Sequence, residues 1–553
     1  MSIEQRHAES FVGVACADPI GLLEIGILLE VAGAATRIAL DRVLLADLAT
    51  ASDPAIAAAG QVGSLVKLRV ADRWLIACVR SMRLSDTHDG RILADVDFVG
   101  EGDADRETGR IRGFRRGITR YPVPGAVVVP LSAVDMQQVF ATDERAHIDI
   151  GTVHPTTDIR GALFIDALLG KHFAILGSTG TGKSTATALI LHRICERAPE
   201  GHILMIDPHG EYGAAFRSTG EILDVGNLAM PYWLMNFEEH AEVFVTASGP
   251  DRQVDLDILA KCLLAARAKN RVGETVAKLT VDSPVPYLLS DLANLLQADM
   301  GRIDKASSIA PYLRLKSKID EIKADPRYAF MFSGMLVGDT MATFLAKLFR
   351  LPGGGRPISI IDVSGVPSEI TSVVVAVLSR MVFDYAIWSR GEAQRPLLLV
   401  CEEAHRYVPA DRTGGGQAVR KVLERIAKEG RKYGVSLGLV TQRPSDLAEG
   451  VLSQCGTIIA MRLNNDRDQA YVKAAMPEGA RGFLDAIPAL RNREAIVCGE
   501  GVAIPIRVQF DTLEPGKCPA SGDPVFSVLW HQSGGETATI DRVIRRWRNQ
   551  GRG

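Results

Sequence analysis

The stretch from Phe173 to Leu191, FAILGSTGTGKSTATALIL, sets glycines, hydroxyls and one lysine at a spacing suited to gripping phosphate. Gly177, Gly180 and Gly182 let the backbone bring its N–H groups close to phosphate oxygens at a helix N-terminus, whose dipole favours negative charge. Ser178, Thr179, Thr181 and Thr185 complete the loop and the first turn. Lys183 is placed to reach β and γ phosphates, and Ser184 to ligate Mg²⁺. The pattern predicts a site for a nucleoside triphosphate and leaves open what the bound energy does.

Three further stretches carry chemistry. Leu397 to Val400 run through Cys401 into Glu402, Glu403 and His405. A buried strand delivering two adjacent acids to a sheet edge can place one carboxylate by Mg²⁺, here Glu402, and another by an attacking water, here Glu403. The metal-side position is more usually Asp, and two acids ending a strand also suit the start of a helix. VSLGLVTQRPSDL repeats the form and ends at Thr441, Gln442 and Arg443. The neutral Gln442 amide can sense a γ phosphate, or it is a structural amide at a strand end. Arg431, beside Gly430 and Gly434, is either a partner for a helix C-terminus or a finger aimed at a neighbour's phosphate. Asp207, His209 and Glu211 in MIDPHGEY read equally as acids near a metal-bound water and as a plain turn.

These residues need strands that end together. From 151 onward strand and helix patterns alternate, the signature of a parallel sheet wrapped by helices. Residues 151–236 and 351–510 read as two parts of one motor core, 237–350 as a helical insertion, and 511–553 as a C-terminal tail that ends in the basic run IDRVIRRWRNQGRG. Ahead of them, residues 1–150 show short β-rich runs: FVGVACA, VGSLVKLRV, RWLIACVRSMRL, RILADVDFVG and AVVVPL. They predict a small barrel with no helix of note. Between its last two runs lies an arginine-rich segment, Arg106 to Arg120, either a solvated loop or a surface for DNA, a neighbouring subunit or a partner.

The 553-residue chain is too long for a single core, and 47% hydrophobic with 23% charged residues describes an ordinary globular composition. No apolar run approaches the roughly 20 residues of a membrane span, so no membrane partner and a cytoplasmic location are expected. Cys16, Cys78, Cys195, Cys262, Cys401, Cys455, Cys498 and Cys518 form no CxxC pair, which favours reduced, mostly buried thiols. The net charge of −3 means that a DNA-binding surface has to be local.

Taken together, LGSTGTGKS, IDPHGEY, IIDVSGVPSE, CEEAHRYVP, EGRKYGVSLGLVTQRPSDL and IIAMRLNNDRDQAYV resemble the HerA family, in the HerA–FtsK branch of P-loop ATPases. The resemblance implies an α/β, RecA/FtsK-like motor domain behind a HAS-barrel-like N-terminal domain. It implies a homohexamer that uses ATP and Mg²⁺ to move double-stranded DNA, without sequence preference, through its channel. Lys183 and Ser184 match the nucleotide and Mg²⁺ ligands, Glu403 the catalytic glutamate, Gln442 the sensor, and Arg431 the finger acting on the next subunit. Relatives work with a separate NurA-like nuclease, in DNA end processing, or resemble antiphage modules with a sirtuin-like or nuclease effector. An ATPase ring that gates an effector without processive DNA movement is the alternative.

Overall fold

The computed structural model describes residues 23–32, 35–85, 90–105, 107–270, 276–302, 309–333, 338–411, 416–476, 481–520, 524–532 and 537–548. Cys16, Arg106 and the run FVGVACA lie outside these residues. By its contacts the chain divides into two units, one of residues 1–164 with 459–511 and one of residues 165–458 with 512–553.

The first unit holds β1 (Gly26–Ala32), β2 (Ala35–Asp41), β3 (Leu65–Val70), β4 (Arg73–Leu84), β5 (Arg91–Ala104), β6 (Ile111–Arg116) and β7 (Val127–Pro130). Their order is β2-β1-β7-β3-β4-β5-β6, and β2 also pairs antiparallel with β5. Among the described residues six strands therefore close into a barrel, with β6 outside on β5. Closure removes sheet edges, and Leu28, Ile38, Leu40, Val66, Leu68, Val79, Val96 and Val128 fill the interior.

Three details differ from the sequence expectation. β1 and β2 come from a Leu-, Ala- and Glu-containing stretch with no strong strand signature, and closure against β5 and β7 overrides that local composition. Part of the arginine-rich segment is strand β6, with Arg112, Arg115 and Arg116 exposed along it and Arg116 donating to the Gly499 carbonyl at 2.8 Å. The unit also carries short helices, Arg42–Leu48, Pro54–Ala57 and Ala133–Val139. Each starts on a polar cap, Asp41, Asp53 or Ser132, whose side chain accepts from N–H groups of the first turn. Beyond the barrel, β8 (His147–Val153) pairs with β9 (Arg160–Phe164) and with the strand Ile506–Phe510.

The second unit is built on β10 (Phe173–Leu176), β11 (Ile203–Asp207), β12 (Gly220–Leu223), β13 (Ile358–Asp362), β14 (Leu397–Cys401) and β15 (Val435–Thr441). They run parallel in the order β12-β13-β11-β14-β15-β10. Every residue of β10, β11, β14 and β15 is buried, as expected for a parallel sheet covered on both faces. β12 and β13 are neighbours in space, yet the chain between them makes the helices Phe237–Phe244, Pro250–Ala268, Leu289–Met300, Ala310–Ala324 and Met341–Phe349. The chain leaves the sheet after β12 and returns to it at β13 through these helices. This segment is tied to the core by Arg380 of the helix Ser368–Trp388, which holds the fully buried Glu239 at 2.8 Å.

The helix Ser368–Trp388 corrects one expectation. At 21 residues, with a window of mean hydropathy 1.7, it is long and apolar enough to cross a membrane. It is instead a core helix with Val373 to Leu378 buried, and Arg380 and Asp384 on it form an ion pair at 3.0 Å.

One contact fixes the position of β10, the strand ahead of the glycine-rich loop. Gly438 of β15 pairs with Phe173 of β10, and a Cβ on Gly438 would stand 2.6 Å from the Phe173 ring. Gly438→Ala is expected to cost about 1–3 kcal/mol through overpacking, lowering the apparent melting temperature, and Phe173→Leu in the same chain should recover part of it. Thermal unfolding of the two variants beside the unsubstituted chain checks this.

Candidate active site

All the chemistry-bearing stretches except Arg431 meet at the C-terminal edge of the second unit's sheet. The register sets Leu176 beside Thr441 and Ile206 beside Cys401, so the residues that follow each strand emerge together. Gly177, Gln442, Glu402 and the turn after Asp207 are the result.

The loop from Gly177 to Gly182 is a cradle left open for an anion. Gly180 and Gly182 have φ of +79° and +93°, where side chains are strained. Nothing lies within 4 Å of a Cβ built on Gly180. The helix Lys183–Arg197 begins on Gly182 with no side chain capping it, so its first N–H groups face outward. Ser178 and Thr181 brace the loop through a 2.8 Å bond from Thr181 Oγ1 to the Ser178 carbonyl, while Thr179 is exposed and Thr185 half-buried.

Lys183 is buried, its Nζ 3.5 Å from Glu402 Oε1 and 3.8 Å from Glu403 Oε1. Tyr212, fully buried, donates its hydroxyl to Glu402 Oε2 at 3.0 Å. Burial pushes the Glu402 carboxyl up to about 7, with Lys183 pulling it down and Glu403 pushing it further up. Ser184 Oγ donates to Glu211 Oε2 at 3.1 Å. Ser184, Glu211 and Glu402 thus bring hard oxygen donors beside the open cradle, the donor type that Mg²⁺ takes.

Glu403 differs from its neighbour. It sits in the left-handed region, φ +51° and ψ 44°, an unfavourable conformation for a side chain with a Cβ. Its Oε2 is buried and makes no hydrogen bond among the described residues. His405 Nδ1 lies 3.2 Å from that oxygen but is hydrogen-bonded to Thr441 Oγ1 at 2.9 Å. Burial also holds the His405 imidazole below its usual range. The next residue along β15, Gln442, accepts a 2.5 Å hydrogen bond on Oε1 from the Thr179 hydroxyl of the cradle.

Asp207 resolves into a turn residue. Its carboxylate accepts from the N–H groups of His209, Gly210 and Tyr212 at 3.2, 2.9 and 2.9 Å, which folds the chain so that Glu211 and Tyr212 enter the site. His209 is exposed. Cys401 is packing: burial pushes its thiol up to about 12.

Arg431 is apart from this cluster. It is exposed in the short turn Gly430–Tyr433 before β15, whereas Gln442 follows the strand's other end. Seven residues of β15 put the two ends about 20 Å apart. Within one chain Arg431 therefore lies at the opposite sheet edge from the cradle.

Tyr212 and Thr441 were not read as site residues from the sequence. The signal for Tyr212 was present, an aromatic two positions after a turn glycine in IDPHGEY, but its target is 190 residues away along the chain.

Residues 148–382 match the family described as helicase HerA, central domain. The chain is 25% identical over 479 residues to the DNA double-strand break repair helicase HerA of Pyrococcus furiosus, covering 79% of this chain and 82% of that protein. It is 27% identical over 372 residues to the protein of the same name from Sulfolobus acidocaldarius, covering 66% and 69%. Among solved structures, VirB4 of Thermoanaerobacter pseudethanolicus aligns with a TM-score of 0.48 at 14% identity, over 68% of this chain and 99% of that one. Over residues 148–382 the chain is thus similar to the HerA central domain, and along most of its length to HerA helicases.

Tyr212→Phe removes a donor from a buried carboxylate and is expected to cost about 1–3 kcal/mol of stability. His209→Ala, at an exposed position of the same turn, should cost none. Urea denaturation midpoints of the two variants provide the check.

Proposed function

We propose that this chain is a member of the HerA family, a cytoplasmic ATP-driven motor that assembles as a homohexamer and translocates duplex DNA independently of sequence, together with a separate effector polypeptide. The observation that supports it most is the pairing of a glycine-rich loop suited to phosphate with an adjacent buried carboxylate, Glu403, whose Oε2 makes no hydrogen bond among the described residues.

The chain's residues divide the work of phosphoryl transfer to water. N–H groups of Gly177 to Thr185 hold the phosphates, and the Lys183 ammonium turns from the two glutamates toward them. Ser184, Glu211 and Glu402 would hold Mg²⁺, which when bound supplies charge neutralisation for the β and γ oxygens. Glu403 Oε2 orients the attacking water and accepts its proton. The Gln442 amide, now held by Thr179, is placed to exchange that bond for a γ-phosphate oxygen.

Arg431 lies too far from its own cradle to act there, so it serves the site of a neighbouring copy, as a finger supplied in trans. This placement supports a ring, because each copy then offers a cradle on one edge and an arginine on the other. The family relatives' names place them in DNA double-strand break repair. A NurA-like nuclease, or in an antiphage setting a sirtuin-like effector, fits the same motor. The exposed arginines of β6 and the segment to Arg120 suit an acidic partner surface or DNA entering the channel, with residues 1–150 as the docking platform.

ATP turnover by the full chain is expected to rise with duplex DNA, to vanish with loss of nucleotide binding in Lys183→Ala, and to vanish with nucleotide binding kept in Glu403→Gln. Turnover indifferent to duplex would favour the ring that gates an effector without moving DNA.

Arg431→Ala should keep nucleotide affinity and lose on the order of 10³ in turnover. Mixed with Glu403→Gln subunits, it should regain part of that activity at composite interfaces, measured as hydrolysis against mixing ratio. Absence of recovery would leave Arg431 as a cap for its own helix.

A further inference from the structure

His405 stands between the two strand ends that hydrolysis has to coordinate. Its side chain is 16% exposed and its Nδ1 faces two oxygens, Thr441 Oγ1 at 2.9 Å and Glu403 Oε2 at 3.2 Å. Only the first of these contacts is a hydrogen bond, so among the described residues Glu403 Oε2 has the imidazole beside it without a hydrogen bond. Thr441 Oγ1 also accepts from the Arg443 N–H at 3.1 Å, which fixes the hydroxyl across the start of the Gln442 turn. Gln442 in turn is bonded to Thr179 of the cradle. A chain of contacts thus runs from Glu403 through His405 and Thr441 to Gln442 and the phosphate loop.

We propose that His405 is a positioning residue that ties the loop carrying Glu403 to the end of β15, so that the carboxylate and the Gln442 amide take up their working positions together when the cradle fills. The inference rests on the reading of Glu403 as the group that activates water. Two features call for such a tie. Glu403 has a strained backbone, φ +51°, that needs its surroundings to hold it. Gln442, bonded to Thr179 of the loop, directly follows Thr441, which is fully buried at the end of β15. Beside the backbone ladder of β14 with β15, His405 is the side chain that joins the Glu403 carboxylate to Thr441.

Steady-state ATP hydrolysis by the full chain tests the link. His405→Ala and Thr441→Val are each expected to lower kcat about 10- to 100-fold, the range typical of residues that orient a reacting group, with KM for ATP within about twofold. The double variant should lose no more than the weaker single variant, because both cut one link. Thr441→Ser, which restores the hydroxyl, should restore kcat, and nucleotide binding kept by every variant reports an intact site. Losses that multiply in the double variant, or wild-type kcat in Thr441→Val, overturn the inference. Glu403→Gln assayed alongside separates the two levels. If it still hydrolyses ATP, the water-activating role and the link fall together; if it is inactive while Thr441→Val is not impaired, the link alone fails.

Discussion

The buried ammonium of Lys183 between Glu402 and Glu403 is the interaction on which the site depends. A charge taken out of water is costly unless it is paired, and Lys183 has two carboxylates within 3.8 Å. Glu211 and Asp207 add further acids to the same sheet edge, so negative groups outnumber the lysine. Hydrogen bonds from Tyr212 and Ser184 offset part of that excess, and burial raises the Glu402 carboxyl to about 7. A cluster of this kind favours an incoming cation beside the lysine, and an anion once the lysine turns outward. The same electrostatics draws in metal and phosphate together.

The sheet also sets how far apart the candidate groups stand. A parallel strand has two ends, and β15 carries Thr441 and Gln442 at one and the turn with Arg431 at the other. Rigid burial on both faces keeps those ends about 20 Å apart, which no side chain spans. The glycine-rich loop and the exposed Arg431 therefore lie at opposite edges of one sheet. The insertion between β12 and β13 leaves this geometry undisturbed, because it leaves and re-enters at neighbouring strands and is anchored to a core helix by the Arg380–Glu239 pair.

The barrel shows a different balance between local and long-range forces. β3, β4 and β5 carry apolar runs that read as strands directly, because burial against the interior demands them. β1 and β2 do not. Their leucines and alanines are as suited to a helix, and only pairing of β2 with β5 makes an extended conformation favourable. β6 is the converse case: its arginines look like a solvated loop, and they are indeed exposed, but the backbone finds a ladder on the open side of β5.

The sequence by itself determined the glycine-rich loop after β10, the two acids after β14, Gln442 after β15, the alternation of strand and helix, and the run of helices between β12 and β13. Those signals are local: glycine where φ is positive, apolar runs where a strand is covered on both faces, polar residues where the run stops. The tertiary structure decided the rest, because it depends on which strand ends are neighbours. Register alone makes Tyr212 a partner of Glu402, sets His405 against Thr441, and turns Asp207 into the turn that delivers Glu211 to Ser184. The closing pair of the barrel is of the same kind. No spacing along the chain encodes contacts between residues tens to hundreds of positions apart; they exist only once parallel strands have fixed their order and their offset.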